Sequence, residues 1–251
     1  MSKILLINPN ISESVSDLIA AEARRTASAS THIDVVTAPL GVAYIETRLE
    51  ALLGAYAAAD LAATQAPNYD ALVIAAFGDP GLWGIRELVD IPVVGLTEAA
   101  LMSACMLGNR YSIIAISHRI TAWYRECVQA NGLLDRLASI RCLRQPLEDI
   151  GSVQSDHEGR LRDLCDQAVR EDGADVLILA GAPLAGLART IRGDIPVPVV
   201  DGVSSAVRHA ETLIALAPGE SRGGSFSLPP IKPNKGLSDA MRKLLAQGTL
   251  A

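Results

Sequence analysis

Two stretches decide how this chain folds: YDALVIAAFGDPGL, residues 69–82, and GADVLILAGAPLAGL, residues 173–187. Each opens with a short apolar run, too short for a helix, which reads as a strand buried on both faces. Each then breaks into a turn rich in glycine and proline. Laid over one another at an offset of 105 residues, Asp70 meets Asp175, Leu72 meets Leu177, Ala76 meets Gly181, Gly81 meets Gly186 and Leu82 meets Leu187. Beyond each copy lies a similar strand, DIPVVGLTEAA in one half and DIPVPVVDGVSSA in the other. The starts of the halves also match, ILLINP against IIAISH, with Asn8 opposite Ser117. Three matched segments in one order indicate an internal duplication.

Working outward, apolar runs alternate with segments of helical spacing. KILLIN, HIDVVTAP, YDALVIAAF and IPVVGL read as strands of the first half. YSIIAIS, IRCLRQP, ADVLILAG and VPVVDG read as strands of the second. Between them lie SESVSDLIAAEARRTA, a long Ala-rich segment at 47–66, TEAALMSACML, ITAWYRECVQANG, EGRLRDLCDQAVRED and SSAVRHAETLIALA, all with helical periodicity. Strands alternating with helices imply parallel sheets covered on both faces. The expected fold class is therefore α/β, with two pseudo-symmetric lobes, each a central parallel four-stranded sheet flanked by helices, and the active site in the cleft between them. Residues 1–108 form the expected N-terminal lobe, with the chain's end as a further element expected to pack there, and 109–217 the C-terminal lobe. Residues 218–251 read as a Gly/Ser/Pro-rich linker and a short amphipathic helix, SDAMRKLLAQ.

Composition excludes several function classes. The 251 residues are 49% hydrophobic and 20% charged with a net charge of −6, a globular balance that lacks the basic footprint of a nucleic-acid binder. No apolar run reaches the ~18 residues of a membrane span. No charged start leads into an apolar targeting segment, so a reduced, cytoplasmic location is expected. Cys105, Cys127, Cys142 and Cys165 show no metal-ligand spacing and fall inside apolar patterns. No metal and no cofactor is expected, the expected partner is a small-molecule substrate, and the apolar helices and tail make a homo-oligomer the expected assembly.

Ligands of open parallel sheets bind beyond the carboxyl ends of the strands. Four loops converge there: Asn8-Pro9-Asn10, Ala76-Phe77-Gly78-Asp79, Ser117-His118-Arg119 and Gly181-Ala182-Pro183. Helices start just after them, so backbone N–H groups favour a small anion, a carboxylate or a ring imide. With INPN, FGDPGL, the IPVVG strand with its EAA helix, AGAPLAGL and PVVDGV, the chain resembles the aspartate/glutamate/hydantoin racemase superfamily over residues 3–217, nearest its hydantoin and allantoin racemase branch. That resemblance implies two pseudo-symmetric lobes with substrate between them, and cofactor-independent racemisation by two cysteine thiols, one per lobe.

This sequence departs from the implied chemistry at both positions. The family's first cysteine falls on Ala76 and its second on Gly181, and neither a methyl group nor a hydrogen titrates. The remaining candidates are weighed on their own chemistry. His118 is the expected acid or base, since imidazole titrates near neutrality; a surface histidine is the equal alternative. Asp79 is the second catalytic candidate, with loop support as its blander role. Tyr44, Glu46 and Arg48 from AYIETR reach the cleft rim, where Arg48 could clamp a carboxylate or simply be solvated. Asp201 reads as a helix N-cap, Ser12, Ser204 and Ser205 as caps, and His32, His157 and His209 as surface residues. Expected substrate contacts are thus Asn8, Pro9, Asn10, Tyr44, Arg48, Ala76, Phe77, Gly78, Ser117, Gly181, Ala182 and Pro183. Three functions fit: a racemase-like isomerase of a small cyclic ureide or amino-acid-derived anion; a lyase, decarboxylase or hydrolase of a similar substrate; or a non-catalytic binding protein.

Overall fold

The computed structural model describes residues 1–145, 147, 149–217, 219 and 223–248. The first half contains β1 (Ser2–Asn8), α1 (Glu13–Thr26), β2 (Thr31–Thr37), α2 (Arg48–Gln65), β3 (Ala71–Ile74), α3 (Leu82–Leu88), β4 (Val93–Gly95) and α4 (Leu96–Leu107). The second contains β5 (Tyr111–Ala115), α5 (Thr121–Ala130), β6 (Leu137–Cys142), α6 (Val153–Asp172), β7 (Val176–Leu179), α7 (Leu187–Ile191), β8 (Val199–Asp201) and α8 (Gly202–Leu216). A last helix, α9 (Asp239–Leu245), packs on α2.

The strands form two parallel sheets of identical order, β2-β1-β3-β4 and β6-β5-β7-β8. In the first, Ile7 pairs with Ile74; in the second, Ile114 pairs with Leu179. The duplication read from the two quoted stretches is thus present as duplicated topology. The unbroken apolar runs have a simple cause, since both faces of each central strand are covered. Leu5, Ile7, Leu72 and Ile74 face one cluster with Leu82 and Ile85 of α3, whereas Ile4, Leu6, Ala71 and Val73 face another with Val15 and Ile19 of α1. Full burial of each such Leu, Ile or Val side chain contributes about 1.5–3 kcal/mol.

The helices at the ends of the two halves trade places. Helix α4 follows β4 yet packs on β7 and β8, and α8 follows β8 yet packs on β1, β3 and β4. Strands β1–β4 fall within 1–108 and β5–β8 within 109–217, but each sheet borrows a helix from the other half of the chain. The exchange brings the two strand ends together: a Cβ on Gly202 would lie 3.0 Å from Leu96 Cγ.

Several boundaries differ from the sequence reading for local reasons. β6 begins at Leu137, ahead of the expected IRCLRQP, whose Pro146 lies outside the described residues. α6 starts at Val153 rather than Glu158 and bends at His157, where φ is −126°. The sequence reading contains neither α3 nor α7, short helices of seven and five residues behind FGDPGL and AGAPLAGL. Part of the expected linker, residues 218 and 220–222, and the tail at 249–251 lie outside the described residues. Among the described residues no helix is long and apolar enough to cross a membrane.

Candidate active site

The loops after β1, β3, β5 and β7 meet between the sheets. A small cavity of about 30 Å³ opens there, lined by Asn10, Tyr44, Ile45, Ala76, Phe77, Ile116, Ile120, Tyr124, Gly181, Ala182 and Pro183. Broader depressions elsewhere, one bordered by Glu22, Arg189 and Asp201, do not receive the ends of both sets of strands.

Ala76 and Gly181, matched by the repeat, both face this cavity. Gly181 has φ +107°, and a Cβ built on it would lie 3.5 Å from Pro183 Cδ and 4.0 Å from the Tyr124 hydroxyl. There is room for a side chain but a backbone that L residues rarely adopt. Asn10 is fixed by neighbours: its amide oxygen accepts from Ser12 N–H at 2.9 Å and from the Asn8 side chain at 3.1 Å.

The structure separates the remaining sequence candidates from the cavity. His118 is exposed and does not line it. At the end of β5 the buried position is taken by Ser117, whose hydroxyl caps a short 3-10 turn, and the next residue points away from the interior. That corrects the expectation of a cleft-facing histidine. Arg48 is also elsewhere, making an exposed ion pair with Glu126 of α5. Asn8, Pro9, Gly78 and Ser117 lie behind the lining. Asn8 bonds Ser16 Oγ at 2.9 Å, Gly78 N–H donates to Thr97 Oγ1, and Ser117 donates to Glu46.

Asp79 serves the loop. Its carboxylate oxygens accept from the backbone N–H groups of Thr97 at 2.8 Å and Glu98 at 2.9 Å, capping α4. Burial pushes its carboxyl up to about 7, against the pull of those two donors. Its φ of +48° and Gly78's φ of +103° shape the turn, and a Cβ at Gly78 would collide with the Trp123 ring at 2.3 Å. Cys127 backs the same loop, donating to Gly78 O at 3.9 Å, and burial pushes its thiol up to about 12, far from a reactive thiolate. Asp201 caps α8 by accepting from Ser204 N–H at 2.8 Å, and Ser12 caps α1. His32 pairs with Asp34 and His209 with Ser103, both away from the cavity.

Sequence reasoning missed Tyr124. It is 3% exposed on α5, its ring packs on Phe77 at 4.7 Å between centroids, and burial drives its phenol strongly upward, so it stays protonated. The available signal was the pair Trp123-Tyr124 in a chain only 4% aromatic, directly after the third converging loop. Among the described residues, Tyr44 and Tyr124 are the ionisable side chains of the lining. Among the described residues no three His, Cys, Asp or Glu side chains gather as metal ligands.

With two matched strand ends on one cavity, the comparison with known proteins is decisive. Residues 4–210 match the Asp/Glu/hydantoin racemase family model. The chain belongs to the Asp/Glu/hydantoin racemase family. It is 36% identical to the hydantoin racemase of Paenarthrobacter aurescens, over 92% of this chain and 98% of that one. Its fold superposes on the allantoin racemase from Klebsiella pneumoniae with a TM-score of 0.89 and 32% identity, covering 97% and 99% of the two chains. The allantoin racemase from Pseudomonas fluorescens gives 0.85 and 32%, covering 94% and 100%. This member of the Asp/Glu/hydantoin racemase family is accordingly a racemase-like enzyme.

Proposed function

We propose that this racemase-like enzyme acts, without a cofactor, on a small cyclic ureide or amino-acid-derived anion, and that it does so without two thiols. The observation that carries this reading is the pairing of Ala76 with Gly181 on one cavity, where the resemblance implies the family's cysteines. The likeness to hydantoin and allantoin racemases at 32–36% identity supports the substrate class. The lining bears no cationic side chain, which favours a neutral ring or ring imide over a free amino acid needing a carboxylate clamp.

In this reading the ring stacks among Phe77, Tyr44 and Tyr124. Removing a proton next to a carbonyl creates an enolate, and the Tyr124 hydroxyl donates to its oxygen. A buried donor aimed at developing charge typically supplies a factor of ~10²–10³. A second reading, a lyase or decarboxylase, draws on the same phenols. Loss of CO2 also yields an enolate and needs a hydrogen-bond donor more than a strong base, and strong bases are what the lining lacks.

The test is incubation in deuterated water with hydantoins, allantoin and amino acids. Deuterium at the α-carbon supports the racemase-like reading, and a change of product mass supports the lyase reading. Tight binding with neither would leave a binding protein and sink both.

A further inference from the structure

We propose that Tyr44 is the group that takes the substrate's α-proton, with Glu46 behind it as a positioning residue that receives the phenol's own proton. This rests on the proton-exchange reading of the cavity. Tyr44 lines the cavity and Glu46 does not, so a ligand meets the carboxylate only through the phenol. The Tyr44 hydroxyl donates to Glu46 Oε2 at 3.3 Å. The other carboxylate oxygen, Oε1, accepts from Ser117 Oγ at the end of β5, across the lobe boundary. The strap that carries both residues is pinned as well: the N–H groups of Glu46 and Thr47 each donate to Glu50 Oε2 at 2.8 Å, within the capping box of α2.

The chemistry follows from the chain of contacts. A free phenolate is not stored, because burial first and the Glu46 charge second push the Tyr44 phenol upward. Transfer is therefore concerted. The Tyr44 oxygen accepts the α-proton while its own proton passes to Glu46 Oε2, and the C–H electron pair becomes the enolate, held by the Tyr124 hydroxyl. The reverse transfer returns a proton to carbon, and an enolate that turns over first is returned as the other enantiomer. The balance needs no oxidant, and Glu46 is the terminal proton acceptor. The arrangement also explains why a carboxylate sits at the edge of a lobe junction with Ser117 holding one oxygen and leaving the other free to face the phenol.

The experiment is α-deuteration of 5-methylhydantoin and allantoin in deuterated water, followed by NMR with spontaneous exchange subtracted, for the wild type, Tyr44→Phe, Glu46→Gln and Glu46→Ala. Circular dichroism confirms folding of each. Tyr44→Phe is expected to lower kcat by ~10²–10⁴, the usual loss on removing a general base, with KM little changed. Glu46→Gln separates proton transfer from support, since its amide oxygen still accepts from Ser117 but cannot take a proton. The relay predicts that Glu46→Gln behaves like Glu46→Ala. A Glu46→Gln protein at the wild-type rate, or an unaffected Tyr44→Phe, overturns the relay alone. A wild-type protein that exchanges neither probe overturns the proton-exchange reading, and the relay with it.

Discussion

Ala76 and Gly181, 105 residues apart in sequence, line one cavity at the ends of equivalent strands of two sheets with the same strand order. Neither carries a titratable group, and the ionisable side chains of the lining are the phenols of Tyr44 and Tyr124.

Restoring thiols tests the inherited geometry. Ala76→Cys keeps a backbone that any residue tolerates, whereas Gly181→Cys puts a side chain at φ +107° and should cost on the order of 1–3 kcal/mol. The double variant is expected to fold with a lowered Tm and to racemise a hydantoin detectably by polarimetry. A folded double variant without racemisation would show that the cavity differs from a two-thiol site in more than its cysteines.

Tyr124→Phe removes one hydroxyl and keeps the ring on Phe77. Turnover of whichever probe is active should fall ~10²–10³-fold, while Tm changes little because the packing is retained. Unchanged steady-state kinetics would remove Tyr124 from the chemistry.

Asp79 should make stability depend on pH in an uncommon direction. Its folded carboxyl is raised from 3.8 to about 7, so the folded state binds the proton more tightly than the unfolded chain. Asp79 therefore favours folding at low pH, and that contribution declines as pH rises from about 4 through about 7. Thermal melts of wild type against Asp79→Asn across this window should show the wild type gaining relative stability toward the acidic end. Parallel curves would contradict the account. Asp79→Ala should cost about 1–3 kcal/mol near pH 7 by stripping the acceptor from two backbone N–H groups, and more toward the acidic end.

Two of the candidates read from the sequence, His118 and Arg48, are exposed in the structure. His118→Ala is expected to avoid the ~10²–10⁴ rate loss of a missing acid or base, with His32→Ala as a control. Arg48→Ala breaks only an exposed ion pair with Glu126 and is expected to leave Tm nearly unchanged. A collapse of kcat in His118→Ala would return the histidine to the mechanism.

The fold was legible because duplication writes the same apolar runs twice, and buried parallel strands leave an unmistakable imprint. The trade of α4 and α8 was not, since which sheet a helix covers depends on the crossover and not on its own periodicity. Of the cavity lining, the converging loops gave Asn10, Ala76, Phe77, Gly181, Ala182 and Pro183, because strand ends are readable. Loop residues one position apart, Ser117 inside and His118 outside, were not distinguishable without the 3-10 turn that follows. Tyr124 was hidden because it comes from a helix face, where an aromatic reads first as core.

The central claim is that the cavity between Ala76 and Gly181 holds the substrate. A crystal structure with 5-methylhydantoin bound tests it most directly. The account predicts the ring between these two residues, with a carbonyl oxygen within hydrogen-bond reach of the Tyr124 hydroxyl and the α-carbon facing Tyr44. A ring seated instead in the depression beside Glu22 and Arg189, with the cavity empty, would contradict it.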